Sequence, residues 1–259
     1  MMPVRHASFF LLTTCGAAGR IISSAPILCR IPFYHYSVIY PTLRMKKPEI
    51  SIAHEGLPFI LFCAFATLIC AVCGYGPVAL LGLAATFFVT WFFRDPSRIL
   101  PADTKAVICP ADGRVIGIRE MFDERFLHQE VVRISIFMNI FNVHVNRAPF
   151  SGTVERVLLK PGKFYSADKH QAALHNEYCA MIVNTAAQQR YVVVQIAGLI
   201  ARRIICRAEP GERIEGGQRY GLIRFGSRVD LYLPQETEIT VQAGQKVRAG
   251  ETVLGRMSS

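Results

Sequence analysis

Residues 221–234 read GLIRFGSRVDLYLP and join two strand-like segments through a central Gly-Ser pair. Apolar residues lead into the pair, and Val229, Leu231 and Leu233 alternate with other residues after it. This alternation is typical of a β-strand with one buried face. A glycine inside a strand usually marks a bulge or a close approach of two backbones, so the pair has a purely structural interpretation.

The same Gly-Ser pair also permits a chemical interpretation. Gly226 has no Cβ, so its carbonyl is open to attack by the Ser227 hydroxyl. If a base takes the hydroxyl proton, the acyl group shifts from nitrogen to oxygen, and the resulting ester can eliminate. The chain is then cut, and Ser227 becomes a pyruvoyl group at a new N-terminus. Such a ketone forms Schiff bases with amines and acts as an electron sink.

Two further motifs precede this stretch, and the three together resemble the phosphatidylserine decarboxylases in their short, archaeal-like form. They are Pro110-Ala111-Asp112-Gly113 and residues 141–149, which read FNVHVNRAP. In that family the Gly-Ser cleavage site lies in the context Phe-Gly-Ser-Arg-Val-Asp. The resemblance covers roughly residues 46–256 in the same order, so it is far more specific than a Gly-Ser pair alone.

The resemblance implies a self-processing enzyme that converts phosphatidylserine to phosphatidylethanolamine and CO₂. Its cofactor would be a pyruvoyl group derived from Ser227, and it would need no metal. Asp112 would orient His144, which would activate Ser227 for cleavage after Gly226, as in other oriented His–Ser pairs. His144, or a water that it positions, is also the candidate for reprotonating the substrate Cα. Longer bacterial relatives have another histidine where this sequence has Phe141.

The local sequence leaves simpler interpretations of these residues open. An Asp before a Gly, as at Asp112, is favourable turn chemistry. His144 alternates with Asn142 and Asn146 on one face of a predicted strand, and such a polar stripe is ordinary for a half-buried strand.

Cleavage would give a large fragment, residues 1–226, and a small fragment, residues 227–259. Because the small fragment would supply interior strands, sheet hydrogen bonds and core burial would hold the two together as a heterodimer.

The composition indicates a membrane-associated protein. Hydrophobic residues make up 51% of the 259 residues, charged residues 19%, and the mean hydropathy is +0.29. The net charge of +10 suits an anionic lipid surface or nucleic acid. No aromatic-and-basic nucleic-acid motif is present, so lipid is favoured over nucleic acid. The eight cysteines form no metal quartet and indicate a reducing compartment.

The N-terminal 100 residues divide into two predicted parts. Residues 1–44 lack Asp and Glu and contain several Arg, which suggests a basic extension or transit peptide, or a start site placed upstream of a natural start at Met45. Residues 45–100 contain two uncharged apolar runs, 57–73 and 78–93, separated by a Gly-Tyr-Gly-Pro break. We expect a helical hairpin at the cytoplasmic face of the cell membrane, either spanning or monotopic. A hairpin buried in a soluble protein is the alternative.

Residues 101–259 are predicted to form a β-rich catalytic domain. Short strand-like runs recur between Gly and Pro residues, and the tail 247–255 resembles the turn of biotinyl and lipoyl modules. The predicted fold class is therefore mainly β, a barrel-sandwich-hybrid-like domain preceded by an α-helical membrane hairpin. The predicted strands are 106–108, 114–118, 131–138, 141–145, 152–158, 179–184, 191–197, 221–225, 229–233 and 238–242, with a short helix at 168–175.

Two other functions remain open at this point. One is a membrane-tethered, lipoyl-like adaptor in which the bond between Gly226 and Ser227 stays intact. The other is a pyruvoyl-dependent decarboxylase of a soluble amino acid, although such a substrate does not require an enzyme at a bilayer. The mass of the purified chain separates the adaptor from the enzymes, and an assay with free serine separates the two enzymes.

Overall fold

The computed structural model describes residues 51–167, 170–199, 203–224 and 226–257. The predicted extension, residues 1–44, lies outside them. After a 3-10 turn at His54–Gly56, the helices and strands are α1 Leu57–Val72, α2 Gly76–Phe92, β1 Ala106–Ile108, β2 Gly113–Asp123, β3 Gln129–Met138, β4 Val145–Arg147, β5 Gly152–Lys160, α3 His170–His175, β6 Tyr178–Asn184, β7 Arg190–Ala197, β8 Ile204–Cys206, β9 Arg213–Ile214, β10 Arg219–Ile223, β11 Ser227–Pro234, β12 Glu238–Ile239, β13 Lys246–Val247 and β14 Val253–Arg256.

Helices α1 and α2 coincide with the two apolar runs. Each has a proline in its first turn, where the missing N–H breaks no intrahelical hydrogen bond. Gly74, with φ +78°, follows α1 in the left-handed region that commonly ends a helix. The predicted break at residues 74–77 is therefore shorter than expected, because Gly76 and the following proline already belong to α2.

The two helices pack closely against each other and are otherwise uncovered. The hydroxyl oxygens of Thr67 and Thr86 are 3.4 Å apart, and a Cβ on Gly82 would lie 2.5 Å from the Thr67 hydroxyl. Small residues at a helix contact allow this approach. No residue of α1 is buried, and in α2 only Phe92 is. The segment His54–Val72, with mean hydropathy 2.1, is long and apolar enough to cross a membrane, whereas α2 is shorter.

The rest of the described chain is mainly β, as predicted. An eight-stranded curled sheet has the order β13-β2-β3-β11-β7-β6-β5-β9, and two three-stranded sheets have the orders β1-β14-β12 and β4-β10-β8. Strand β11 lies between β3 and β7 in the large sheet, and all of its residues are buried. The chain therefore places Ser227 at the start of an interior strand.

Both faces of β11 are buried, whereas the alternating sequence predicted one buried face. The burial of its polar residues is possible because they bind one another. Arg228 donates from Nε and Nη2 to the two carboxylate oxygens of Asp230, at 2.6 and 2.9 Å, and also to the Ser135 hydroxyl at 2.9 Å. A bidentate pair of this kind satisfies both charges inside the protein.

The predicted strand 141–145 is wrong over most of its length. The backbone N–H groups of Asn139 and Phe141 bond to the side chains of Asn142 and Asn139, respectively, and these bonds form a turn. Strand β4 begins only at Val145, so Asn142 does not share a strand face with His144. The predicted strand 238–242 is also shorter than expected and is limited to β12.

A small core joins the helix pair to the β-domain. Phe92 and Phe93, at the end of α2, are almost fully buried against Val145 of β4 and Leu222 of β10, with Ala53 beside them. A Cβ on Gly56 would lie 2.3 Å from the Phe93 ring, so the chain entering α1 touches this core directly. This core brings the ends of both helices next to the segment that leads into β4, where His144 lies.

Candidate active site

The Gly226-Ser227 peptide lies where the chain enters β11. Gly226 has φ +65°, a conformation that glycine adopts without strain, and Ser227 is the first residue of the strand. Ser227 pairs with Met138 of β3 and Ala197 of β7. Its side chain is fully buried, and its hydroxyl lies 3.4 Å from the Met138 sulfur. A thioether is a weak acceptor, so this contact holds the hydroxyl only weakly.

The carbonyl group of Gly226 packs directly on the backbone of Gly198. A Cβ built on Gly198 would lie 2.2 Å from the Gly226 oxygen, which no side chain could tolerate without displacing that carbonyl. Sequence analysis did not identify Gly198. The signal was present, because a glycine directly after an apolar strand often marks a close backbone approach.

His144 contacts the backbone of Gly226 on the N-terminal side of this peptide, at the Gly226 N–H. Its Nδ1 lies 2.9 Å from the Asn142 carbonyl oxygen, and its Nε2 lies 3.3 Å from the Gly226 nitrogen. A carbonyl only accepts, so Nδ1 carries the hydrogen, and Nε2 accepts from the Gly226 N–H. The unprotonated nitrogen of a neutral imidazole therefore contacts the N–H of Gly226, the residue whose carbonyl is bonded to Ser227.

Burial keeps this imidazole neutral. The pKa of His144 is lowered to about 4, mainly because burial disfavours the charged ring and further because of the positive charge of Arg94. The hydrogen bond to Asn142 acts in the opposite direction. At neutral pH, His144 is thus a proton acceptor rather than a cation.

A continuous run of rings links His144 to the base of the helix pair. Phe92 lies 4.4 Å from the His144 ring, Phe93 lies 5.0 Å from Phe92, and Phe59 of α1 stacks on Phe93 at 5.7 Å, all measured between centroids. The guanidinium of Arg224 lies 4.9 Å from the Phe59 centroid on the far side of this run. The helices therefore help to enclose the site.

Asp112, the third predicted catalytic residue, has different partners. Its carboxylate accepts from Arg98 Nη2 at 2.8 Å and from the Ala249 backbone N–H at 2.8 Å. Within the described residues it makes no hydrogen bond to His144. The structure thus brings together Gly226, Ser227 and His144, while Asp112 ties the Pro-Ala-Asp-Gly turn to the C-terminal turn. Its role toward His144 stays a prediction.

A buried polar layer near Ser227 includes Gln195, a residue that sequence analysis missed. Asn146 of β4 approaches the Met138 sulfur at 3.8 Å and accepts from Gln195 Nε2 at 2.9 Å. Gln195 is fully buried in β7, and its Oε1 has no hydrogen-bond partner among the described residues. The sequence did contain an indication of Gln195, because it is the one polar side chain in the otherwise apolar run that follows Tyr191 in β7. Buried polar groups need partners, so this layer fixes the local packing around Met138.

A buried Gly-Ser peptide at the start of an interior strand, faced by a neutral histidine, is typical of mainly β proenzymes that process their own backbone. The family model described as phosphatidylserine decarboxylase matches residues 85–255. This chain therefore belongs to the phosphatidylserine decarboxylase family, which confirms the resemblance of its three motifs.

Individual relatives agree with this assignment, and each is named phosphatidylserine decarboxylase proenzyme. The protein of Desulfotalea psychrophila is 51% identical over 213 residues, covering 82% of this chain and 100% of the relative. The protein of Geobacter sulfurreducens is 49% identical over 216 residues, covering 82% and 99%. The protein of Nitratidesulfovibrio vulgaris is 46% identical over 214 residues, covering 83% and 98%.

Proposed function

We propose that this chain is a self-processing phosphatidylserine decarboxylase, which forms phosphatidylethanolamine and CO₂. The observation that carries the proposal, beside family membership, is the contact between His144 Nε2 and the Gly226 N–H at 3.3 Å. It places the one buried neutral base of the motif against Gly226, whose bond to Ser227 is the one that the family resemblance marks for cleavage.

Self-cleavage uses groups of this chain alone. The Ser227 hydroxyl oxygen attacks the Gly226 carbonyl carbon, and His144 Nε2 takes the hydroxyl proton. The C–N bond breaks, the Ser227 nitrogen receives the proton, and an ester links the two residues. A base then removes the Cα proton of residue 227 while the Gly226 carboxylate leaves, which gives a dehydroalanine. One water adds to this residue, ammonia is released, and a pyruvoyl group remains at position 227.

The surroundings of Ser227 suit this group. Gly198 leaves space where a side chain would otherwise displace the Gly226 carbonyl. The Met138 sulfur contacts the Ser227 hydroxyl but holds it only weakly. The pyruvoyl group supplies the electron sink for loss of CO₂ from the substrate. Burial of this position excludes bulk water.

His144 Nε2 is the atom that we assign to proton transfer at the substrate Cα. Phe141, which replaces the second histidine of longer relatives, lies on an exposed turn, and its carbonyl accepts from Arg94 Nη2 at 2.7 Å. It offers no titratable group, so His144 acts without that partner. Asp112 remains a proposed positioning residue, because its negative charge acts on Arg94, the cation that lowers the pKa of His144.

The helix pair is the proposed membrane anchor. Its outer side chains are uncovered, with Phe62 73% and Leu81 72% exposed, and a helix that is apolar all round needs an apolar environment. Arg94 lies 4.4 Å from the Trp91 ring at the end of α2, a pairing suited to a membrane interface. We place both helix ends at the cytoplasmic face of the cell membrane, with residues 45–100 as the anchor domain and residues 1–44 as a separate extension.

The β-rich domain, residues 101–259, is proposed to be of the lipoyl-like barrel-sandwich type. The pairing of Val247 with Gly113 supports this, since it closes the C-terminal turn onto the first long strand. After cleavage, residues 227–259 are proposed to remain bound to residues 1–226 as a heterodimer. Strand β11 supports that association because it pairs with both β3 and β7.

The test is the intact mass of the purified protein beside Ser227→Ala. The wild type should give two chains, the smaller beginning at residue 227 with a pyruvoyl mass, and the variant should stay whole and inactive. A folded wild type that remains one chain would overturn the proposal and favour the adaptor. Wild-type protein that releases CO₂ from free serine as readily as from phosphatidylserine would favour a decarboxylase of a soluble amino acid.

A further inference from the structure

Arg224 lies two residues before Gly226 and has an unusual environment for an arginine. Its guanidinium covers the ring of Phe59, yet it forms no hydrogen bond or ion pair with the described residues, and its Nε is buried without a partner. A guanidinium carries five donors in a planar fork. Arg224 therefore presents a set of unused donors beside the cleavage site.

The nearest charges neutralise Arg224 only in part. The backbone carbonyl oxygen of Arg203 accepts from the Arg224 backbone N–H at 3.2 Å. Residue Arg203 is exposed, and its guanidinium has no ion pair within the described residues. Burial lowers the pKa of Arg224, the charge of Arg203 lowers it further, and the charge of Glu55 acts in the opposite direction. The Glu55 carboxylate is itself ion-paired with Arg207. Three guanidinium groups thus share one region with a single carboxylate, and this excess of positive charge favours an anion there.

The position of this arginine pair fits one part of a lipid headgroup. Arg224 lies beside the first turn of α1, on the ring of Phe59. From Phe59 a series of aromatic contacts leads to His144. The Cα atoms of Arg224 and Gly226 are within ~7 Å, because each peptide spans ~3.8 Å. In phosphatidylserine the phosphorus is separated from the reacting amine by four bonds, roughly 5 Å.

We propose that Arg224 and Arg203 bind the phosphodiester of phosphatidylserine and so hold its serine headgroup against residue 227. The assignment rests on the proposed decarboxylase function and adds to it the residues that recognise phosphate. Guanidinium groups bind phosphate oxygens in a bidentate manner, and the Phe59 ring keeps the Arg224 plane fixed. Both arginines are positioning residues, since neither contacts the reacting bond.

The test compares two substrates on the cleaved enzyme. Arg224→Gln, Arg203→Gln and Arg224→Lys are assayed with dihexanoylphosphatidylserine, which is soluble, and with O-octanoyl-L-serine, which lacks phosphate. Activity is expressed per cleaved chain, counted by mass. Each Gln variant should raise KM for the phospholipid about tenfold, with kcat within about twofold, as expected for loss of a charged hydrogen bond. Activity on the phosphate-free ester should be unchanged, and Arg224→Lys should lie between.

The matched control is Arg156→Gln, an exposed arginine on β5 that should change neither substrate. A KM for the phospholipid within twofold of wild type, or an equal loss on both substrates, would overturn the assignment. If Arg224→Gln is not cleaved, Arg203→Gln decides alone. Weaker flotation with phosphatidylglycerol vesicles at unchanged KM would assign the arginines to bulk lipid and also refute the proposal. A wild type inactive on phosphatidylserine would instead refute the decarboxylase function.

Discussion

Strand β11 and helix α1 are both strongly apolar segments, but they have opposite surroundings. Every residue of β11 is buried, including Arg228 and Asp230, whereas no residue of α1 is buried and none is charged. The protein around β11 supplies partners for its charges. Within the described chain, helix α1 packs only along α2 and at its first turn, and it has no charge that would need a partner. If lipid covers its outer face, as proposed, a charge there would be left unsatisfied. Charged residues paired inside an apolar segment and their complete absence from one therefore indicate different surroundings.

The strongest test of this comparison is at His144, where the two regions meet. Phe92 of α2 covers one side of the ring, and Gly226, which leads into β11, contacts its Nε2. His144→Gln keeps a polar side chain but removes the base, so cleavage should slow by about 10²–10⁴-fold. The measurement is the rate of fragment formation after cell-free synthesis, with His54→Gln as the control. Cleavage of His144→Gln at the wild-type rate would exclude this histidine as the base.

The low pKa of His144 also fixes the pH dependence of cleavage. Protonation removes the Nε2 lone pair, and with a pKa of about 4 the ring stays neutral across the neutral range. The wild-type rate should therefore be flat from about pH 8 to 5 and fall only below that. Because the folded pKa lies below the unfolded value of about 6.5, stability should decrease as pH falls from about 6.5 to 4. If the cleavage rate instead begins to fall near pH 6.5, Phe92 and the helix pair do not desolvate the His144 ring.

The buried charges of β11 give a test on the strand side of the comparison. Asp230→Leu leaves the buried Arg228 with only Ser135 as a side-chain partner among the described residues, and this should cost about 3–5 kcal/mol of unfolding free energy. The double variant Arg228→Met/Asp230→Leu should recover most of that loss. Thermal unfolding is measured in the Ser227→Ala background, so that uncut chains are compared. Equal stability of the single and double variants would mean that the pair does not act as a unit.

Local sequence patterns predicted most strands and the two helices, because β-branched runs and long uncharged segments carry their own signal. The motifs also singled out Ser227 and His144, and the structure places both next to Gly226, while their catalytic roles stay predictions. Three features were missed, since the partner in each is a residue distant in the sequence. Gly198 matters only because the Gly226 carbonyl reaches it, and Asp112 binds Ala249 across the fold. Strand β11 is buried on both faces only because a separate apolar cluster packs on each side of the sheet. The turn at Asn142 was local, but side-chain bonds overrode the strand pattern there.

The last and smallest effect is expected on the helix side of the comparison. Phe65, near the middle of α1, is 63% exposed, so replacing it with Lys should leave the thermal stability of the β-domain unchanged. In a bilayer the same change places a charge in hydrocarbon and should weaken membrane association by about 3 kcal/mol, roughly 100-fold in vesicle flotation. Phe65→Leu is the control and should float like the wild type. If Phe65→Lys floats equally well but lowers the unfolding temperature, protein rather than lipid covers α1, and its contrast with β11 disappears.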